Sequence, residues 1–341
     1  MQIKITSLLI LWCLICTGII VPVCAQTNRF DQITQACGLT SEDITKISSG
    51  QIIFKQATKT ADEQLFLSGF FLLQTTCDEF EKVIKEGNII NTSKSALAIT
   101  EMYPVLGQTN IQPVIEKCMT EEAAIIYKNA APGLTLNLSK DEISQFTSLT
   151  LETDNAKAGI TPRVTQDLFT RAESYRLSGL FGVAPYARKS GETSVANEIR
   201  AAALCLPDLF PGIINIKDAV DAYPMNQPKG AEQFFQLTCQ DIEDRPDFIL
   251  SHFTFFKPQP DSFLAISRQY YVSHSYNSLL IVIGGVQTEK GFFVFYYNST
   301  FTDLITGMLN NVKKTVGLAK MKGEIQKQMA TFKSRFDQKA P

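Results

Sequence analysis

The chain has 341 residues, with 32 Lys+Arg, 34 Asp+Glu and two histidines, and 45% of it is hydrophobic. This near-neutral balance gives no electrostatic reason to expect nucleic acid or an acidic membrane as partner. His252 and His274 alone are too few for a three-histidine metal site within one chain.

Lys4 precedes an apolar run from Leu8 to Val23, and Val23-Cys24-Ala25 comes before Gln26. A short positive segment, an apolar core and a small residue at the cut predict a secretory signal over residues 1–25. Residues 26–341 then form a single α+β domain that is periplasmic or secreted. An uncleaved anchor is the alternative. No later stretch is long enough to span a bilayer. Cys13, Cys16 and Cys24 leave with the signal, and Cys37, Cys77, Cys118, Cys205 and Cys239 remain. An oxidising compartment permits disulfides, but the spacings are wide and contain no CxxC, so no framework or zinc site is indicated. These cysteines read mostly as small buried apolar side chains, with any pairing open.

Thr40-Ser-Glu-Asp predicts a capped helix start. Gln51 to Gln56 and Leu65 to Gln74 predict a hairpin whose second strand is apolar on both parities, hence covered on both faces. Cys77 to Glu86 predicts a short amphipathic helix. Leu97 to Tyr103 and Ala131 to Leu138 are strand candidates, and Ser139 opens a helix with a capping-box pattern. From about 161 to 242 the period becomes helical. Thr161-Pro162 starts one helix, Thr193-Ser194 a second, Lys217 to Tyr223 forms a third, and Ala231 to Ile242 a fourth. Strands then follow at Phe248–Phe256, Ser262–Ser273, Ser278–Val286 and Gly291–Tyr297, again apolar on both parities. A final helix capped by Thr302-Asp303 runs to Phe336, near 50 Å at about 1.5 Å per residue. Its apolar residues form two rows: Ile305, Leu309, Val312, Val316 and Ala319, then Leu318, Met321, Ile325, Met329, Phe332 and Phe336. The second row is rotated by about 100° at Gly317 and Gly323, which predicts a bend or two different contact surfaces.

No G-x-S-x-G, H-E-x-x-H, P-loop, G-x-G-x-x-G or EF-hand loop occurs. No catalytic, metal or cofactor residues are assigned. Period two from Ile266 places Arg268, Tyr270, Val272 and His274 on one apolar strand face. A buried Arg needs a carboxylate or polar ligand, and Asp303 is one available partner. Two readings follow: a satisfied structural pair that fixes strand to helix, which such a pattern more often marks, or a polar hook of Arg268, Tyr270 and His274 in an apolar cavity walled by Ile305, Leu309 and Val312.

Arg268, Gln269, Tyr271, Ser273 and His274, followed by Asn298, Thr302 and Asp303, resemble the C-terminal block of an uncharacterised family of secreted bacterial proteins. That family has a K-Q-x-Y-x-S-H strand, an apolar hairpin and an N-R-S-R-T-D-like turn into a long basic helix. Arg268 replaces the lysine, and Ser299-Thr300-Phe301 the arginine-bearing turn. Ser48-Ser-Gly-Gln-Ile-Ile and Ser68-Gly69-Phe-Phe are similar to its opening strands. The order of elements also resembles the helix-grip fold of the steroidogenic-acute-regulatory-related lipid-transfer and polyketide-cyclase-like superfamily. That resemblance implies a curved antiparallel sheet packed on the long C-terminal helix, here with an inserted helical segment over about 161–242. Fold does not fix function. Three functions are open: a non-enzymatic carrier of a lipid or other apolar small molecule, a structural or protein-interaction module using the C-terminal helix, or an enzyme using His274 with Asp303 or Tyr271.

Overall fold

The computed structural model describes residues 29–57, 60–86, 96–101, 108–150, 155–242 and 244–337. The expected signal segment lies outside the described residues.

The centre of the molecule is an eight-stranded, wholly antiparallel sheet. Its strands are β1 (Ile53–Gln56), β2 (Gln64–Leu73), β3 (Ala96–Glu101), β6 (Glu232–Ile242), β7 (Arg245–Phe256), β8 (Ser262–Val272), β9 (Ser278–Thr288) and β10 (Gly291–Phe301). A separate two-stranded ribbon joins β4 (Tyr186–Arg188) to β5 (Gly191–Thr193). The large sheet runs in the order β1-β2-β10-β9-β8-β7-β6-β3. Five consecutive strands, β6 to β10, form a meander of neighbouring pairs, and the early hairpin joins it through β2 on β10.

Both faces of the sheet are covered, as the two-parity apolar strands require. One face carries the helices α1 (Arg29–Ala36), α2 (Ser41–Ser48), α4 (Gln108–Cys118), α5 (Glu121–Lys128), α6 (Lys140–Thr147), α7 (Ala156–Ser178), α8 (Val195–Leu204) and α9 (Ile216–Asp221). The other carries α3 (Cys77–Lys85) and α10 (Asn310–Asp337). Alternate residues of one strand serve the two layers. On β10, Phe293, Phe295 and Tyr297 enter the eight-helix core, and Phe292, Val294 and Tyr296 enter the smaller one.

This arrangement corrects the helix-grip expectation. The sheet is neither curved nor closed; β1 and β3 are its free edges. A helix grip needs one concave face wrapped on one helix. Here large side chains project from both faces and are stacked against helices on each, giving a three-layer sandwich. The helical cover is not confined to 161–242 either, since α1, α2, α4, α5 and α6 contribute to the same core.

Several local expectations hold. Thr40 and Ser139 both close capping boxes, at α2 and α6, and Ser194 caps α8. Others do not. Ala231 to Ile242 is not a helix but strand β6, in which Phe235, Leu237 and Cys239 alternate into the core and pair with β7. Ala131 to Leu138 forms no strand; there the Asn137 N–H donates to the Ser273 carbonyl and its amide to the Val272 and Tyr276 carbonyls. Helix α7 begins at Ala156, so Pro162 lies inside it. Cys118 and Cys239 form a disulfide linking α4 to β6, whereas Cys37, Cys77 and Cys205 are free thiols.

The C-terminal segment departs most. Thr302 caps a short 3-10 turn, Asp303–Ile305, and Leu309, at φ 62°, precedes the start of α10. Ile305 and Leu309 are therefore outside the long helix. The row that packs inward is Ile325, Met329, Phe332 and Phe336, against Phe71, Phe263 and Phe292 of the sheet and Phe80 of α3. Leu309, Val312 and Val316 face outward, the reverse of the expected arrangement. Gly317 has its own reason: a Cβ there would sit 3.1 Å from a Leu65 methyl, so a close approach to β2 explains it. Gly323 has no atom within 4 Å of such a Cβ.

Candidate functional site: a groove beneath the final helix

The Ile325, Met329, Phe332 and Phe336 row of α10 seats on the sheet layer, and Gly317 approaches β2 near its other end. Beneath the middle of α10 a groove of about 640 Å³ remains between helix and sheet. The register defines its floor. Ala265 of β8 lies opposite Ile283 of β9, which lies opposite Tyr296 of β10; the next rungs are Ser267, Ile281, Asn298 and then Gln269, Leu279, Thr300. Every second residue shares a face, so these nine side chains point the same way. Three rungs make a floor about 14 Å long and about 10 Å wide at ordinary strand spacings. An apolar rail, Leu279, Ile281 and Ile283, thus runs between two polar rails. Gly317, Lys320, Met321, Glu324, Ile325 and Gln328 of α10 form the roof, and Ile305 and Leu65 wall one side.

The polar rails are ordered. Thr300 Oγ1 donates to Asn298 Oδ1 (3.1 Å), and Asn298 Nδ2 donates to the Tyr296 hydroxyl (3.0 Å). Across the floor the Tyr276 hydroxyl donates to Gln269 Oε1. Burial pushes both tyrosine hydroxyls up, Tyr296 to about 12, so near neutral pH both remain protonated. The groove can therefore hold an apolar chain along β9 and offer hydrogen bonds on either side of it.

The residues expected to form one hook are separated. Cross-strand pairing passes from Leu250↔Tyr271 to Ser251↔Gln269, so Tyr270 is an extra residue bulged out of the β7–β8 ladder. Tyr270 and Tyr271 consequently both enter the eight-helix core. Beyond the bulge the parity is reversed. Arg268 and Tyr270 face the helical layer, whereas His274 lines the groove on the opposite face. Of the six expected ligand residues, only His274 and Ile305 line the groove; Leu309 and Val312 are on the outer surface.

Arg268 is 1% exposed, yet its partners are not carboxylates. Its guanidinium donates to the Ala219 and Val220 carbonyls (2.7 Å each) and to Thr254 Oγ1 (2.9 Å). The two carbonyls are at the C-terminal end of α9, where backbone acceptors are left over and the helix dipole favours a cation. Asp303 pairs instead with Arg188 (2.7 Å). Beside Arg268, Tyr175 donates to His252 Nδ1 (2.8 Å), and His252 Nε2 meets Gln233 Oε1 (2.6 Å). Burial and then the Arg268 charge hold the His252 imidazole well below its usual range, so it is neutral. This cluster pins α7 and α9 to β7 and β8. As for the enzyme reading, Tyr271 stacks under Arg171 on the far side of the sheet from His274 (4.4 Å, cation to ring), and Asp303 is engaged by Arg188.

Sequence reasoning missed Ser267, Gln269, Asn298 and Thr300. The signal was present: two pairs of polar residues at spacing two on otherwise apolar strands. It was read on the other parity, that of Arg268. No family model, curated protein or solved structure matches this chain. Among the described residues no helix is long and apolar enough to cross a membrane.

Proposed function

We propose that this protein is a non-enzymatic, extracytoplasmic binding protein for a lipid or another elongated, amphipathic small molecule. The observation that carries this reading is the groove beneath α10, whose volume of about 640 Å³ falls within the range of ligand sites, about 300–1,000 Å³. Its apolar rail between hydrogen-bonding rails suits a single acyl or polyprenyl-like chain with polar substituents. The Cys118–Cys239 disulfide and the apolar N-terminal run support a periplasmic or secreted location. Tyr271 lies on the opposite sheet face from His274 and Asp303 is taken up by Arg188, which favours binding over acid-base chemistry.

The test is native mass spectrometry of protein purified from its own host, together with titration of a fluorescent fatty acid. A co-purifying lipid is expected, with probe binding abolished by Ile281→Trp, which fills the central rail, at unchanged melting temperature. No retained lipid and no probe binding would overturn the proposal, as would probe binding that Ile281→Trp leaves intact.

A further inference from the structure

The turn that precedes α10 and the outer side of the first turns of α10 carry an apolar surface, of which Leu304 alone also borders the groove. Leu304, Met308, Leu309, Val312 and Val316 are 55%, 87%, 67%, 59% and 62% exposed. Soluble proteins tolerate single exposed apolar residues, but five within thirteen positions form a contiguous patch that needs a reason. On α10 the repeat of about 100° per residue puts Val312 and Val316 along the outward face. Lys313, Lys320 and Lys327 then run down one flank and Lys322 lies on the other. From Leu304 to Gln328 there are five lysines and a single acid, Glu324, which is paired with Lys327 (3.1 Å). Lys313 also reaches the Thr306 carbonyl (3.0 Å) and Lys314 the Ala61 carbonyl (2.6 Å); neither contact neutralises their charge.

We propose that this face docks on an anionic lipid bilayer surface. The helix would lie in the interfacial plane, with Met308, Leu309, Val312 and Val316 among the acyl chains and the lysines at the headgroups. Exposed apolar residues flanked by cations on an amphipathic helix are the combination that such surfaces bind. The local charge decides the partner: the whole chain is weakly acidic, but this face is basic, and electrostatic attraction to a membrane fades within about 10 Å. The charge also argues against a second copy as occupant, because two such faces would bring their lysines together. Lys320 is shared between this flank and the groove roof, so docking would place the groove mouth beside the bilayer. The inference does not require the groove to be occupied, and its test is separate.

The test is flotation of the full chain with vesicles of phosphatidylcholine, with and without 30% phosphatidylglycerol. Binding only to the anionic vesicles is expected, falling at least tenfold between 50 mM and 500 mM salt. Val312→Asp with Val316→Asp should abolish it, and Lys313→Gln with Lys320→Gln should weaken it at least fivefold. These are surface positions, and an unchanged circular dichroism spectrum and melting temperature would show that the fold is kept. Equal binding to neutral vesicles, no binding to either kind, or binding that the aspartates leave intact would overturn the proposal. So would sedimentation velocity showing a dimer that Val316→Asp dissolves, or a soluble protein partner that displaces the vesicles.

Discussion

Glu198 offers a measurement in which the sign, the window and the size all follow from the structure. It lies in the first turn of α8, half-buried, where Oε1 accepts from Asn277 Nδ2 (2.9 Å) and Oε2 from Ser278 Oγ (2.6 Å). Burial pushes its carboxyl from 4.5 up to about 7, against the opposing pull of those two hydrogen bonds. A raised carboxyl holds its proton more tightly folded than unfolded. Below pH 4.5 both states carry the proton and nothing is lost. Between 4.5 and about 7 the unfolded chain ionises first, so stability falls as pH rises, and above 7 the loss is complete. Each tenfold change in the acid constant is about 1.4 kcal/mol, so the full loss is about 3 kcal/mol, reduced to about 2 kcal/mol by partial exposure. Glu198→Gln keeps the shape, can still accept from Asn277, and never ionises. Urea unfolding of both proteins at half-unit steps from pH 4 to 8 should show a stability difference that grows in favour of the variant by about 2 kcal/mol. All other titrations cancel in that difference. A flat difference, or one that favours the wild type as pH rises, would refute the reasoning.

Arg171 and Glu142 are both buried and form a two-pronged pair; Glu142→Gln leaves the guanidinium unpaired and should cost about 3–5 kcal/mol in chemical denaturation. A Cβ on Gly285 would lie 2.3 Å from the Phe292 ring and 2.6 Å from the Phe293 carbonyl. Gly285→Ala should therefore destabilise by about 1–3 kcal/mol, read as a lower urea midpoint, even though alanine normally suits a strand better than glycine. The Cys118–Cys239 bridge spans 121 residues of chain; Cys118→Ser with Cys239→Ser should cost about 2–5 kcal/mol, and reductant should then have no further effect on the melting temperature.

Much of this architecture was legible because its signals are local. Capping boxes at Thr40 and Ser139 need only four residues, and the C-terminal strands announce themselves by runs of β-branched and aromatic residues. Apolar residues on both parities of β2, β9 and β10 also fixed, correctly, that each sheet face is covered. Strand β6 looks like a helix in sequence because its polar Gln233, Gln236 and Gln240 suit a helix as well as a strand, and only its pairing with β7 and β3 decides between them. The site was less legible. One extra residue at Tyr270 reverses parity, and a bulge leaves no mark in composition, so the hook Arg268–His274 could be drawn in sequence and not exist in space. Nor could sequence choose which row of α10 meets the sheet. The two rows are similarly apolar, and the choice falls to the partner surface: Phe71, Phe263 and Phe292, from three strands, and Phe80 of α3 come together only in the folded structure. The sequence by itself determined the elements and the two-sided burial, through short-range patterns. The tertiary structure alone decided the open sheet, the disulfide and the groove, because each depends on residues brought together from distant parts of the chain.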